Sequence, residues 1–352
     1  MEGFKAFLKR KNIEISAKRY GIDALGAMAQ GLFCSLLIGT IIKTLGQQLS
    51  IQYLIDIGAY AMSVSGPAMA VAIGYALKAD PMVLFSLAAV GWAANAEGGA
   101  GGPLAVLIIA IIAAECGKMV SKETKVDILV TPGVTILIGV ALAKLIAPPI
   151  GTVASAFGLV IDNATKLQPF WMGIAVSVLV GIALTLPISS AAICSVLGLT
   201  GLAGGAAVAG CCAQMVGFAV MSFKENRWGG LVSQGLGTSM LQMPNIVKNP
   251  RIWIPPTLAS AITGPIATCV FHLQMNDPAG GVASGMGTCG FVGQIGVWSG
   301  WVNDVALGVK AAITPFDWLG MALICFILPA VLSWFFCEML RKIGRASCRE
   351  RV

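Results

Sequence analysis

Charged residues are scarce in this sequence. Asp, Glu, Lys and Arg together make up 11% of its 352 residues, and the mean hydropathy is +0.85. A soluble protein of this length needs a far more charged surface, so this composition excludes one. Apolar runs near the roughly 20 residues needed to cross a bilayer recur along the chain. We therefore predict an all-α polytopic membrane protein, with about ten transmembrane helices and re-entrant or broken segments.

Several catalytic and metal-binding patterns are also missing. The sequence has one histidine, His272, so it cannot form a His-Glu-x-x-His zinc motif, and no Ser-His-Asp pattern is evident. It has no Gly-rich phosphate loop that ends in Lys-Ser or Lys-Thr. Its ten cysteines are scattered without a Cys-x-x-Cys pair, which argues against a disulfide framework and against a zinc site. We expect no metal and no cofactor.

The first 20 residues are polar and basic and lack the apolar core of a secretory signal peptide. Phe4, Phe7 and Leu8 lie there among lysines and arginines, which is typical of an interfacial helix. The positive-inside rule then predicts a cytoplasmic N-terminus. The net charge of +7 lies mostly beside the apolar runs, so it indicates orientation and contact with membrane lipids, and we expect no nucleic-acid binding.

Glycine-rich polar segments interrupt both halves of the chain. We predict a cytoplasmic interfacial helix over 1–20, a first transmembrane repeat over 21–149 with a Gly-rich tip at 95–102, an amphipathic linker over 150–168, a second transmembrane repeat over 169–343 with a Gly-rich tip at 276–290, and a vector-derived tail over 344–352. Glycines at such tips are typical of broken helices that line a cavity. One tip in each half is the pattern of inverted repeats in transporters, although chance similarity between apolar runs explains it equally well.

Polar residues beside these breaks are candidate site residues, because polar groups are costly within a membrane. At the first tip, Asn95 and Glu97 are placed to accept hydrogen bonds from sugar hydroxyls, and the alternative for Glu97 is an exposed loop acid. Glu115 lies near a basic loop, where we expect it to pair with Lys118 or Lys122.

A second cluster contains the single histidine. His272, Gln274, Asn276 and Asp277 offer the mixed donors and acceptors that a polyol ligand needs. Histidine also titrates near neutral pH, so a proton carrier is a second interpretation, and a structural or solvated histidine is a third.

A third cluster is rich in amides and lies in otherwise apolar sequence. Its members are Gln234, Gln242, Asn245, Thr288 and Gln294. Amides favour a neutral hydroxylated ligand over an ion, and hydrogen bonding between helices is the alternative interpretation.

Three segments carry a resemblance to a known family. They are the loop over 120–128 (VSKETKVDI), the stretch over 184–192 (LTLPISSAA) and the stretch over 285–294 (GMGTCGFVGQ). The chain resembles the EIIC-like membrane proteins of the phosphotransferase system, a group that includes regulators of the perfringolysin-regulator type. The likeness covers most of residues 20–340.

The resemblance implies a sugar permease of the bacterial plasma membrane, in the form of a homodimer that binds a sugar-like solute between the two tips and moves it by alternating access. Separate cytosolic subunits would supply the phosphoryl group. Glu97 or Asp277 would act on the sugar hydroxyl, and His272 would hold the sugar. Two other classes stay open: a membrane sensor or regulator without transport, and a proton-coupled transporter that uses His272, Glu97 or Asp277.

Overall fold

The computed structural model describes residues 2–276 and 281–342, and their regular structure is helical apart from one isolated bridge. The first of two compact units covers Met1–Ala154. Its helices are α1 (Glu2–Arg10), α2 (Arg19–Gln48), α3 (Gln52–Ser63), α4 (Ser65–Ala76), α5 (Pro81–Gly98), α6 (Gly102–Val120) and α7 (Asp127–Thr165). The second unit begins at Ser155, within α7.

Five stretches in the described residues are long and apolar enough to cross a membrane. They are Arg19–Gln48, Pro81–Val120, Asp127–Thr165, Gly201–Met221 and Pro315–Lys342. The pair α3 and α4, which is bent by 47°, makes a sixth if it is counted as one broken span. The predicted all-α membrane class is confirmed. The predicted number of about ten spans and the inverted repeat are not confirmed.

Glycines allow close helix contacts in the first unit. A Cβ placed on Gly66 would lie 2.4 Å from the carbonyl oxygen of Gly91, and a Cβ on Gly39 would lie 2.8 Å from that of Gly58. These pairs bring α4 against α5 and α2 against α3. Small residues at helix contacts are a common means of packing helices in membranes, where lipid tails compete with apolar side chains.

The first Gly-rich tip is the turn of a helical hairpin. Gly99, which has a φ of +50°, ends α5 and begins a short 3₁₀ turn before α6. The two arms then run back along each other, because a Cβ on Gly117 would meet Val83 at 2.8 Å. The arms have 18 and 19 residues. The apolar stretch Pro81–Val120 is therefore folded back on itself.

Helix α7 continues where the sequence predicts a linker. It has 39 residues, contains three prolines and includes residues 150–165 of that predicted segment. Large apolar side chains along it, such as Leu129, Leu137 and Leu145, are about 70% exposed. Such exposed leucines fit contact with lipid tails, since a soluble protein rarely exposes an apolar surface of this size.

The second unit is built around one buried helix. Its helices are α8 (Pro169–Thr185), α9 (Ser190–Val196), α10 (Gly201–Met221), α11 (Phe223–Val232), α12 (Met243–Lys248), α13 (Ile254–Pro265), α14 (Val292–Ala306) and α15 (Pro315–Lys342). Helix α10 contacts α8, α13 and α15 and is buried over most of its length. Small residues permit this: a Cβ on Gly210 would lie 1.9 Å from the carbonyl oxygen of Ser177.

Irregular backbone interrupts the helices of this unit in two places. Segment 233–253 consists of a π turn (Ser233–Gly237), a 3₁₀ turn (Ser239–Gln242), helix α12 and a second 3₁₀ turn (Pro250–Trp253). Two 3₁₀ turns lie in residues 281–290 of the second Gly-rich tip and in Phe291, which follows it. Non-helical backbone is tolerated at membrane depth only where it is buried in protein or lines a cavity.

Candidate functional site

Two of the sequence segments that carry the family resemblance contact each other in the second unit. Ser190, the first residue of α9, donates a hydrogen bond of 2.8 Å from its hydroxyl to the carbonyl oxygen of Gly285 in the second tip. A Cβ on Gly285 would lie 2.7 Å from the Ser190 carbonyl oxygen, so only glycine fits there without a shift. The chain break before α9 and the second tip therefore form one structural site.

The second tip has an unusual backbone. Gly287, Gly290 and Phe291 have φ angles of +55°, +51° and +59°. A positive φ is sterically unfavourable for Phe291, because it has a Cβ atom, whereas glycine adopts it freely. Non-glycine residues in such conformations cluster at ligand sites, where the surrounding structure holds them in place.

The predicted amide cluster forms a chain of hydrogen bonds. The amide nitrogen of Asn245 donates to the side-chain oxygen of Gln242 at 2.9 Å. The amide nitrogen of Gln242 donates in turn to the side-chain oxygen of Gln234 at 2.8 Å. Gln234 then donates to the Ser222 hydroxyl at 2.9 Å. Gln234, Gln242 and Ser222 are fully buried. Three of the five predicted members of this cluster are thus directly linked.

A second polar network adjoins this chain, and the sequence analysis missed it. The Gln214 side-chain oxygen accepts a hydrogen bond from the Trp253 indole at 3.1 Å, and its amide donates to the Thr257 hydroxyl at 3.3 Å. The Thr185 hydroxyl lies 3.4 Å from the same oxygen and 2.8 Å from the Ser239 hydroxyl. The available signal was a lone glutamine inside the otherwise apolar helix α10.

Thr288 and Gln294 lie against another part of α10. The Thr288 hydroxyl donates to the Met215 sulfur at 3.5 Å, and the Gln294 amide donates to the Cys212 sulfur at 3.2 Å. The side-chain oxygen of Gln294 is buried and has no hydrogen-bond partner among the described residues. Residues Cys289–Phe291 also contact the π turn Ser233–Gly237, so the second tip and segment 233–253 meet.

The predicted histidine cluster is only partly assembled. Asn276 donates from its side-chain amide to Gln274 at 3.2 Å and to Asp304 at 2.6 Å. His272 is exposed and has a φ of +46°. It makes no hydrogen bond or ion pair with a described residue. Asp277 lies outside the described residues.

Asn95 and Glu97 belong to the first unit, in α5. Asn95 packs against α6, since a Cβ on Gly102 would lie 2.5 Å from its side-chain oxygen. Glu97 is exposed, and its carboxylate has no hydrogen-bond or ion-pair partner among the described residues. In the same unit, Glu115 pairs with Lys118 at 2.9 Å, which confirms the predicted ion pair.

The polar groups that meet on α10 are amides, hydroxyls and an indole. They can donate and accept hydrogen bonds, but they carry no charge at any ordinary pH. In the part of the chain that the structure describes, no group of three or more His, Cys, Asp or Glu side chains could hold a metal ion. This chemistry suits a neutral, hydroxyl-rich ligand.

The fold and the site together define a multi-pass, all-helical membrane protein with buried polar side chains beside broken helices. The sequence profile of the family described as "Phosphotransferase system, EIIC" matches residues 22–349. The chain belongs to this family. No curated protein and no solved structure matches it.

Proposed function

We propose that this protein is the sugar-binding membrane permease subunit of a phosphotransferase system, and that its solute binds among the irregular segments of the second unit. The family match supports the membrane component of such a system. The proposed ligand is a neutral sugar or polyol. The residues that bind this ligand are Gln234, Gln242 and Asn245 in segment 233–253, together with Gln214 on α10.

The chain of buried amides is the observation that carries this proposal. Two of its amides, Gln234 and Gln242, are fully buried and Asn245 is half-buried, and burying such groups in a membrane protein is costly unless each is hydrogen-bonded. A primary amide has two donor protons and an acceptor oxygen, so Gln234 and Gln242 keep capacity beyond the bonds they make with each other. A sugar offers hydroxyl groups that can both donate to and accept from such amides.

Segment 233–253 also provides a means of opening the site. Its π and 3₁₀ turns have poorer hydrogen-bond geometry than an α-helix and often mark functional hinges. Ligand hydroxyls would exchange with the bonds between Gln242 and its two neighbours when the segment moves. Alternation of such a movement between the two sides of the membrane would carry the solute across.

The residue roles in phosphoryl transfer are part of this proposal. Glu97, His272 and Asp277 are candidates to act on the sugar hydroxyl, with phosphorylated cytosolic subunits as the donor. Homodimer formation, a cytoplasmic N-terminus and contact with membrane lipids belong to the same proposal.

Binding to the purified protein tests the site. We would screen sugars and polyols by thermal shift and then compare the wild type with Gln242→Leu. Loss of one or two charge-neutral hydrogen bonds to the ligand, with an amide left unpaired, should weaken binding by about tenfold or more. The measurement is the dissociation constant of the strongest hit, obtained by titration calorimetry in detergent.

Thr263→Val is the matched control for this variant. Thr263 is also a fully buried polar residue of the second unit, but its hydroxyl bonds only to carbonyl oxygens of its own helix, at 3.0 and 3.3 Å. Its removal should leave the dissociation constant unchanged. A hit that binds equally well to Gln242→Leu would refute the assignment of the site, and equal weakening by both variants would point to a general loss of packing.

A further inference from the structure

A cavity of about 420 Å³ opens at one end of the first unit. It is formed by three segments: the end of α1 with the start of the α1–α2 loop, the loop between α4 and α5, and the end of α6 with the loop that leads to α7. The lining residues are Arg10, Lys11, Asn12, Lys78, Asp80, Lys118, Ser121, Lys122 and Glu123. The cavity is independent of the proposed solute site, which lies in the other unit.

A buried lysine forms the floor of this cavity. Lys118 is 2% exposed, and its ammonium group donates to the carbonyl oxygens of Asn12 and Leu77 at 2.8 and 3.0 Å. It also pairs with Glu115. Arg19, which is 8% exposed, donates to the same Leu77 oxygen at 2.6 Å. These contacts tie the α1–α2 loop to the end of α4, so the floor is a built structure.

The rim holds more positive than negative charge. Asp80 pairs with Lys122 at 2.5 Å, and Glu123 pairs with Arg10 at 2.7 Å and with Lys11. The Lys78 side chain makes no hydrogen bond or ion pair with any described residue, although its backbone N–H bonds to the Tyr75 carbonyl oxygen at 3.0 Å. The lining therefore has five cationic groups against two carboxylates. Arg10 also keeps donors, because a guanidinium group has five N–H bonds and one carboxylate uses two at most.

We propose that this cavity binds a phosphate group, which Lys78 and Arg10 contact directly. A phosphate dianion matches the surplus of positive charge, and charge-assisted hydrogen bonds from Arg and Lys are the strongest that side chains make to it. The volume suits a phosphate with an organic group attached, since small-molecule sites begin at about 300 Å³. The source is either a soluble phosphate ester or the headgroup of an anionic phospholipid.

Titration of the purified protein with inorganic phosphate tests this inference. Chloride replaces phosphate at constant ionic strength in the reference titration, so that screening is matched. The test variant is Arg10→Gln/Lys78→Gln. The control is Lys9→Gln/Lys18→Gln, which removes two other positive charges. Both lie at exposed positions outside the cavity. We expect saturable phosphate binding that the test variant weakens by about tenfold or more and the control leaves unchanged.

Nanodiscs distinguish the two sources. If phosphate binds in phosphatidylcholine and loses affinity in phosphatidylglycerol, the lipid headgroup competes and is the natural occupant. Equal affinity in both lipids identifies a soluble phosphate ester, and either result supports the site. The proposal is overturned if phosphate gives no saturable binding beyond chloride in both lipids. It is also overturned if the control pair weakens binding as much as the test pair, because the effect would then be one of net charge alone.

Discussion

Single glycines set how closely the helices of the second unit pack. A Cβ on Gly210 would lie within 2.5 Å of both the oxygen and the carbon of the Ser177 carbonyl group, so α8 and α10 must separate to accept Gly210→Ala. Overpacking of this kind costs about 1–3 kcal/mol of folding free energy. We expect a lower midpoint of thermal unfolding for this variant in detergent.

Gly133→Ala is the control for that substitution. Gly133 lies inside α7, where a Cβ would meet nothing within 4 Å. Alanine should be tolerated there and should raise helix stability slightly, by up to about 1 kcal/mol. Equal destabilisation by Gly210→Ala and Gly133→Ala would contradict the close contact between α8 and α10.

The loops of the first unit give a pH prediction at the same scale. The hydrogen bond from Lys122 holds the pKa of Asp80 below its usual range, and that from Lys11 does the same to the pKa of Glu123. A carboxyl group with a lowered pKa stabilises the folded state above its ordinary pKa, and this contribution is lost as the pH falls. The contacts of α1 with these loops should therefore weaken below about pH 4.

The measurement is the midpoint of thermal unfolding between pH 3 and pH 7, compared between the wild type and Asp80→Asn/Glu123→Gln. The difference between the two proteins should be constant from pH 7 to about pH 5 and should shrink below about pH 4. A difference that is the same at pH 3 and pH 7 would show that neither carboxylate is linked to folding.

At the scale of elements, one hydrogen bond connects α9 to the second tip. Ser190→Ala removes the donor to the Gly285 carbonyl oxygen and leaves that buried group unpaired, at a cost of about 1–3 kcal/mol. Amide hydrogen exchange over 281–291 should become faster. Ser86→Ala is the control, because Ser86 bonds only to a carbonyl oxygen of its own helix. Unchanged exchange at the tip in Ser190→Ala would contradict a tie between these elements.

The sequence predicted the helices better than their pairing. Hydropathy is a local property, so it located apolar segments such as α10 and the hairpin around Gly99 directly. The predicted number of about ten spans is not confirmed, because hydropathy alone does not separate a crossing helix from one arm of a folded-back hairpin such as that around Gly99. The chain from Asn245 to Gln234 was found because its members are near each other in sequence.

Other parts of the site depend on long-range packing. Gln214 meets Trp253 and Thr185 only because α8, α10 and α13 pack together, and residues this far apart in sequence give no periodic signal. The basic cavity also escaped prediction. Its three loops are separated by more than 100 residues from Arg10 to Glu123, and only the fold brings them together.

At the scale of the whole molecule, the apolar surface and the family match agree. Large apolar side chains such as Tyr53, Trp92, Leu137 and Phe335 are more than half exposed, which fits a protein surrounded by lipid. The family assignment covers nearly the whole chain and supports a membrane component of a phosphotransferase system. At this scale, a permease and a sensor would differ only in whether a bound solute crosses the membrane.

Uptake into proteoliposomes tests the central claim most directly. The protein is reconstituted with the strongest solute hit outside and with phosphoenolpyruvate and soluble phosphotransferase subunits inside. We predict that the solute accumulates as its phosphate ester, that omission of phosphoenolpyruvate abolishes this accumulation, and that Gln242→Leu reduces it. Binding without uptake would contradict a permease and support a sensor, and accumulation of unmodified solute driven by a pH gradient would support proton-coupled transport.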